Sequence, residues 1–377
     1  MSLPIPLIDI SRETERHVFV ARGTEEVFHA HPTTVLLPDN KTMFAVWTYE
    51  HGGWCGPLKR SADGGLTWSE LLPVPENWSS VRNCPAIYRL VDPVGRARLF
   101  IFASGWGPRG EDPPPENTEH QSFSEDDGET WSPMESNGLE SGMPFCSIEP
   151  IHGGSRLLGM ANMRTAINPD KHLSPAGHKG NRIVQSVSSD GGFTWSRPWE
   201  TVLDNPANIP VNPELIRSPD GKQLLCLMGN KAGRWETTRL GLFMTSDDEG
   251  ASWSEPAEVP LGLTGDRPKH QRAHDGRLVV VMRNTAPGCP EIGDFVGWIG
   301  TYDDIVMGRE GQYRVKLLRS HAGADSCYPA IELLPDGTFV ATTYIKYRPG
   351  AEKQSIVSVR FTLEELDAKV PQSTCSD

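Results

Sequence analysis

Ser61-Ala-Asp-Gly-Gly-Leu-Thr-Trp-Ser69 is the stretch that decides the fold, because it recurs. Residues 124–132 read SEDDGETWS, residues 188–196 read SSDGGFTWS, and residues 246–254 read SDDEGASWS. Each copy holds a Ser, an Asp two residues on, a Gly, and a Trp near the end. This composition suits a hairpin turn. The Asp (Asp63, Asp126, Asp190, Asp248) accepts hydrogen bonds from backbone N–H groups inside the turn. The Gly takes a backbone conformation that a β-carbon disfavours, and the Trp packs beneath. Trp68, Trp131, Trp195 and Trp253 recur at intervals of roughly sixty residues, which predicts a repeat architecture.

A second repeat runs between the turns. Six prolines (Pro32, Pro85, Pro144, Pro213, Pro268, Pro329) each precede a short strand, a polar turn and an apolar strand, as in CYPAIELLPDGTFVATTY over residues 327–344. Joined to the first repeat, each unit supplies four antiparallel strands: two from the proline hairpin, one entering the Ser-x-Asp turn and one leaving it. Six such units predict an all-β chain, one six-bladed β-propeller spanning residues 1–377. In the fifth unit Gly308-Arg309-Glu310-Gly311 replaces the motif, a degenerate turn. The sixth unit lacks its own fourth strand, and the apolar runs within residues 5–20 are expected to supply it and close the ring. TLEELDAKV at the C-terminus is the only helix expected. The Pro/Gly-rich stretches 105–120 and 164–181 read as long loops rising over the face where a site is expected.

Composition narrows the partners. With 37% hydrophobic residues, 37 Gly and 32 Pro, the chain fits many short strands and turns, and its length allows a large core. A net charge of -13 argues against nucleic acid and against an anionic membrane surface. No apolar run is long enough to span a bilayer as a helix. The start MSLPIPLIDI lacks a signal-peptide pattern, which leaves the compartment open. Seven scattered cysteines with no CxxC pair predict reduced thiols packed in strands, with no disulfide framework, metal site or cofactor.

The Ser-x-Asp-x-Gly-x-Thr-Trp turns resemble the Asp-box of bacterial neuraminidase repeats. From residue 25 to 362 the chain resembles the sialidase superfamily of six-bladed propellers. The resemblance implies that these turns are structural and lie away from the site. It implies a Tyr nucleophile assisted by a Glu, an Asp acid/base, and three Arg residues holding a carboxylate. Tyr328 in SCYPAIELLPDGTF stands at the Tyr position and Glu214 in NPELIRSPDG at the Glu position. Where the family has its first Arg this chain has Ala30-His31-Pro32, and Gly229 stands at the second. Arg267 and Arg283 lie near the third. The loop TYEHGGWCGP offers Glu50 or His51 as the acid.

The residues themselves give a matching set. Those just before each first strand should line a central funnel: His29, His31, Arg82, Asn83, Glu149, Asn212, Glu214, Arg267, His270, Asp325 and Tyr328. Trp54 and Trp106 are nearby stacking surfaces for a sugar. Structural alternatives stand beside each. Tyr328 also reads as a core tyrosine, Glu214 as a buried carboxylate paired to an Arg, and His51 as a loop histidine. One of His29 and His31 is expected to be structural, and Arg82, Arg267 and Arg283 also read as surface or blade-pairing residues. Three functions stay open: a glycoside hydrolase acting on a terminal acidic sugar, a polysaccharide lyase, and a carbohydrate-binding propeller without catalysis. The expected partner is a carbohydrate, and the oligomeric state is left open.

Overall fold

The computed structural model describes residues 3–106, 116–140, 143–164, 181–203, 207–232, 239–289 and 291–371. Six antiparallel sheets follow one another along the chain. Blade 1 is His29–Leu36, Met43–Tyr49 and Cys55–Ser61; blade 2 is Val81–Val91, Ala97–Trp106, Glu116–Ser124 and Glu135–Glu140. Blade 3 is Ser147–Ile151, Arg156–Arg164, Asn181–Ser188 and Trp199–Leu203; blade 4 is Pro210–Arg217, Leu224–Asn230, Leu242–Ser246 and Ala257–Glu258. Blade 5 is Gly265–Arg272, Leu278–Asn284, Phe295–Gly300 and Tyr313–Leu318; blade 6 is Ala330–Leu333, Phe339–Ile345 and Ser355–Phe361. The ring closes as expected: the N-terminal strand His17–Ala21 pairs antiparallel with Ser355–Phe361 as the outer strand of blade 6.

The core lies between blades, where apolar faces of neighbouring sheets meet. Phe44, Val46 and Leu58 of blade 1 pack on Ile87, Leu99 and Ile101 of blade 2. Val279, Val281 and Phe295 of blade 5 pack on Phe339, Ala341 and Val357 of blade 6 in the same way. Such strands are buried on both faces, so they read as continuous apolar runs such as LVVVM.

The four Ser-x-Asp turns form as their chemistry requires. Asp63 Oδ1 accepts from the backbone N–H groups of Leu66 (3.0 Å) and Thr67 (2.9 Å). Asp126, Asp190 and Asp248 accept the equivalent N–H of Thr130, Thr194 and Ser252. The Ser hydroxyl adds a bond not anticipated: Ser61 Oγ accepts from Gly65 N at 2.9 Å, and Ser124, Ser188 and Ser246 do the same. Each turn also clamps the preceding blade. Gly128 (φ 88) presses on the Phe44 ring and Gly250 (φ 86) on Leu158, so a β-carbon at either would collide. Glycine is therefore required there twice over, by φ and by space.

Three expectations need correction. Blade 1 has three strands, because the chain leaving its turn keeps only the bonds Ser69 N to Arg60 O and Leu72 N to Leu58 O. Pro73 and Pro75 have no N–H with which to extend the ladder. Blade 5 has five strands, since Leu7–Asp9 pairs in parallel with Tyr313–Leu318. The C-terminal helix Leu363–Asp367 is joined by a second, Tyr302–Val306, which stands where the fifth turn would be. Thr301 and Asp304 form a capping box at its start. The two long loops fall largely outside the described residues.

Candidate active site

Four of the six first strands carry an irregularity at the anchor proline, and these irregularities help build the site. Register shifts occur between Ala30 and Thr33, Arg82 and Ala86, Val211 and Glu214, and Asp266 and Lys269. The residue before the proline takes a left-handed backbone in four blades: His31 (φ 51), Cys84 (φ 52), Asn212 (φ 54) and Arg267 (φ 58). Non-glycine residues there cost free energy and cluster at functional sites. The bulge turns that residue towards the axis. As a result His31, Cys84, Met143, Asn212, Arg267 and Tyr328, one per blade, share a cavity of about 70 Å³.

Tyr328 is the centre of this ring. The His31 imidazole stacks on it with centroids 3.9 Å apart and planes 20° apart. The Arg267 guanidinium lies over the other side of the ring system and touches its hydroxyl. Burial pushes the phenol well above its usual pKa, and Arg267 pulls the other way. Arg267 is 8% exposed. Its bonds run to Asn212 Oδ1 (3.0 Å) and the Tyr328 oxygen. Among the described residues it makes no direct ion pair; the Asp266 carboxylate acts on it through space and through Asn212, which bridges the two.

Arg283, also buried, donates to Asp266 Oδ2 at 2.7 Å, and its guanidinium lies 5.9 Å from the Tyr328 ring. Burial would raise the Asp266 carboxyl, but the Arg283 charge outweighs that and holds it well below the usual range. Asn212 Nδ2 donates to the other Asp266 oxygen at 2.9 Å.

His51 overhangs the ring from the loop between the second and third strands of blade 1. Glu50 (φ 63) and Gly52 (φ 66) bend that loop. His51 Nδ1 meets Asp325 Oδ1 at 2.8 Å, and Tyr344 Oη lies 3.1 Å from the same oxygen. Gln354 Nε2 donates to Asp325 Oδ2 at 3.0 Å. Burial favours the Asp325 acid, yet the His51 contact prevails and keeps it ionised below the usual range. Arg82 fixes the loop: its Nε donates to Gly52 O at 3.1 Å, and its guanidinium lies over Trp54.

Other expected site residues stand elsewhere. Glu50 is exposed, 3.8 Å from Lys353. His29 is structural: its Nδ1 accepts from Trp47 Nε1 at 2.9 Å, its Nε2 meets Arg22 O at 3.2 Å, and burial holds its pKa at about 4. Glu214 does not meet Tyr328. It is 5% exposed and binds Lys269 Nζ (2.7 Å) and His270 Nδ1 (2.8 Å). Burial would raise its pKa, but the Lys269 charge and the His270 hydrogen bond outweigh that and hold it below the usual range. Glu149 pairs with Arg217 at 3.0 Å. Glu214, Glu149 and His270 line a second cavity of about 330 Å³ further along the axis. The side chain of Trp106 lies outside the described residues.

Tyr344, Asp266, Cys84 and Met143 were missed. The last two followed from the proline rule that placed His31 and Tyr328, applied to all six blades. Tyr344 left no signal of its own. Among the described residues no cluster of His, Cys, Asp and Glu is arranged to hold a metal.

No family model matches the chain, and no curated protein matches it. Solved structures do. An α-L-arabinofuranosidase, Arb93A from Fusarium graminearum, superposes with TM-score 0.65 at 13% identity, over 93% of this chain and 99% of that one. The Penicillium chrysogenum α-L-arabinanase complexed with arabinobiose gives 0.63 at 17%, over 93% and 98%. The NanB sialidase of Streptococcus pneumoniae gives 0.60 at 12%, over 97% of this chain and 71% of that one. What is shared at these identities is the fold, and by fold the chain is a six-bladed β-propeller of the sialidase type.

Proposed function

We propose that this chain is a carbohydrate-active enzyme of the glycosidase kind, exo-acting on a terminal acidic sugar. The observation that carries the reading is the Arg267 guanidinium, buried in the funnel and hydrogen-bonded to no carboxylate among the described residues. Arg267 and Arg283 share the single Asp266 carboxylate, so an anionic group of a substrate adds counter-charge, and a carboxylate matches the planar guanidinium. His51, with Nδ1 held by Asp325, has Nε2 left for proton transfer to the leaving oxygen. Tyr328 is the nucleophile; burial disfavours its phenolate, and Arg267 offsets part of that. The likeness to folds of arabinose-releasing enzymes and a sialidase supports the class and leaves the sugar open.

One observation favours a lyase on the same scaffold. Glu214 is engaged elsewhere, so among the described residues no carboxylate is hydrogen-bonded to Tyr328 to take its proton. In a lyase His51 Nε2 removes the proton beside the uronate carboxylate, Arg267 steadies the resulting charge, and Tyr328 protonates the departing oxygen. A panel of sialosides and uronic-acid oligosaccharides decides between them. Lyase products absorb in the ultraviolet through a new conjugated double bond; hydrolase products do not. Tyr328→Phe is expected to abolish either reaction, and full retained activity removes the phenol from both.

A further inference from the structure

His31 lies against the nucleophile candidate, and its hydrogen bonding is unusually restrictive. Its Nδ1 receives the backbone N–H of Gly52 at 3.4 Å. A backbone N–H only donates, so Nδ1 carries a lone pair and the ring proton sits on Nε2. The Cys84 sulfur lies 3.3 Å from the same Nδ1, with its thiol proton directed to Asn83 Oδ1 at 3.2 Å. Nε2 is fully buried with no partner among the described residues. An orphaned buried donor is costly, by about 1–3 kcal/mol. It is held in place by a left-handed backbone at a residue preceding proline, itself a strained arrangement.

We infer that His31 Nε2–H is a fixed hydrogen-bond donor reserved for an oxygen of the bound sugar, with the Gly52 N–H setting its tautomer. This deepens the acidic-sugar reading and rests on it. Arg267 takes the carboxylate; the imidazole beside it takes an uncharged acceptor, a hydroxyl or ring oxygen. His31 is a binding residue in this role and not a proton carrier. Burial first, then the nearby charges of His51, Arg267 and Arg283, disfavour its imidazolium. The other titratable groups around it are Tyr328, Tyr344 and Cys84, all of which are neutral when protonated. The His51 ring stands edge-on at 4.6 Å and its side chain is about half exposed. His31 itself lines the central cavity in which the acceptor would sit.

Nitrogen-15 spectra of the histidine rings in the full chain test this, with His31→Asn assigning the signals. Asn tolerates the left-handed backbone, which protects folding. The expected result is an Nε2–H tautomer that does not titrate between about pH 5 and 8. An Nδ1–H tautomer, or a midpoint near the usual histidine value, overturns the inference. Sodium glucuronate is the probe, and its binding is expected to move the Nε2–H signal. In His31→Asn its affinity should fall by up to about tenfold, the scale of one neutral hydrogen bond. Glucuronate that perturbs the Arg267 side-chain signals and leaves Nε2–H unmoved refutes the donor role alone. Glucuronate that perturbs neither refutes the acidic-sugar reading and the donor role with it.

Discussion

Glu332 offers a sharp test of how the axial channel is built. Its carboxyl, on the first strand of blade 6, accepts from Thr34 Oγ1 at 2.9 Å and borders the second cavity. It forms no ion pair among the described residues, and burial raises its pKa from the usual 4.5 to about 7. That displacement corresponds to roughly 3 kcal/mol at about 1.4 kcal/mol per pH unit. The residue is only half-buried, so solvent screens part of it and about 2 kcal/mol is expected. The sign follows from proton linkage. Below the usual value the group is protonated in both states. As pH rises towards 7 the unfolded chain releases its proton while the folded chain keeps it, and stability falls. Above 7 both states are ionised and the loss is complete. Glu332→Gln keeps the acceptor for Thr34 and removes the titration. Urea unfolding should find it equal to the parent near pH 4 and about 2 kcal/mol more stable near pH 8. An equal difference at both pH values would refute the assignment of a half-buried, unpaired carboxyl.

Three further outcomes are expected. Arg267→Lys should raise KM for an acidic sugar by about tenfold or more, since Lys lacks the guanidinium fork, while binding of the matching neutral sugar changes little. Asp325→Asn should lower kcat on the order of a hundredfold or more and shift the pH profile, because the amide no longer fixes the His51 tautomer; an unchanged profile removes His51 from proton transfer. Asp126 owes its low pKa, about 2, to hydrogen bonds from Thr130 and Ser124. Its contribution is present above the usual 3.8 and is lost as pH falls through 2, so Asp126→Ala should lower Tm at neutral pH, with the gap closing in strong acid.

The repeats made the scaffold legible before any coordinates. Turn chemistry is local: Asp63 bonds to residues three and four positions on, so the motif alone predicts it. The anchor prolines likewise marked where side chains turn to the axis, and His31, Arg267 and Tyr328 were found that way. The pairing of Tyr328 with Glu214 failed for a reason also written locally. Tyr328 precedes its proline and Glu214 follows its own, which sets the two at different depths along the axis.

What lay beyond the sequence was contact across the ring. His51 and Asp325 are 274 residues apart, and nothing near either one names the other. They meet because the N-terminal strand closes blade 6 beside blade 1 and because the bent loop carries His51 over the funnel. Local chemistry therefore determined the turns, the strands and the inward-facing positions. Closure of the ring decided which of those positions meet, since that depends on blade number and on the depth each bulge imposes.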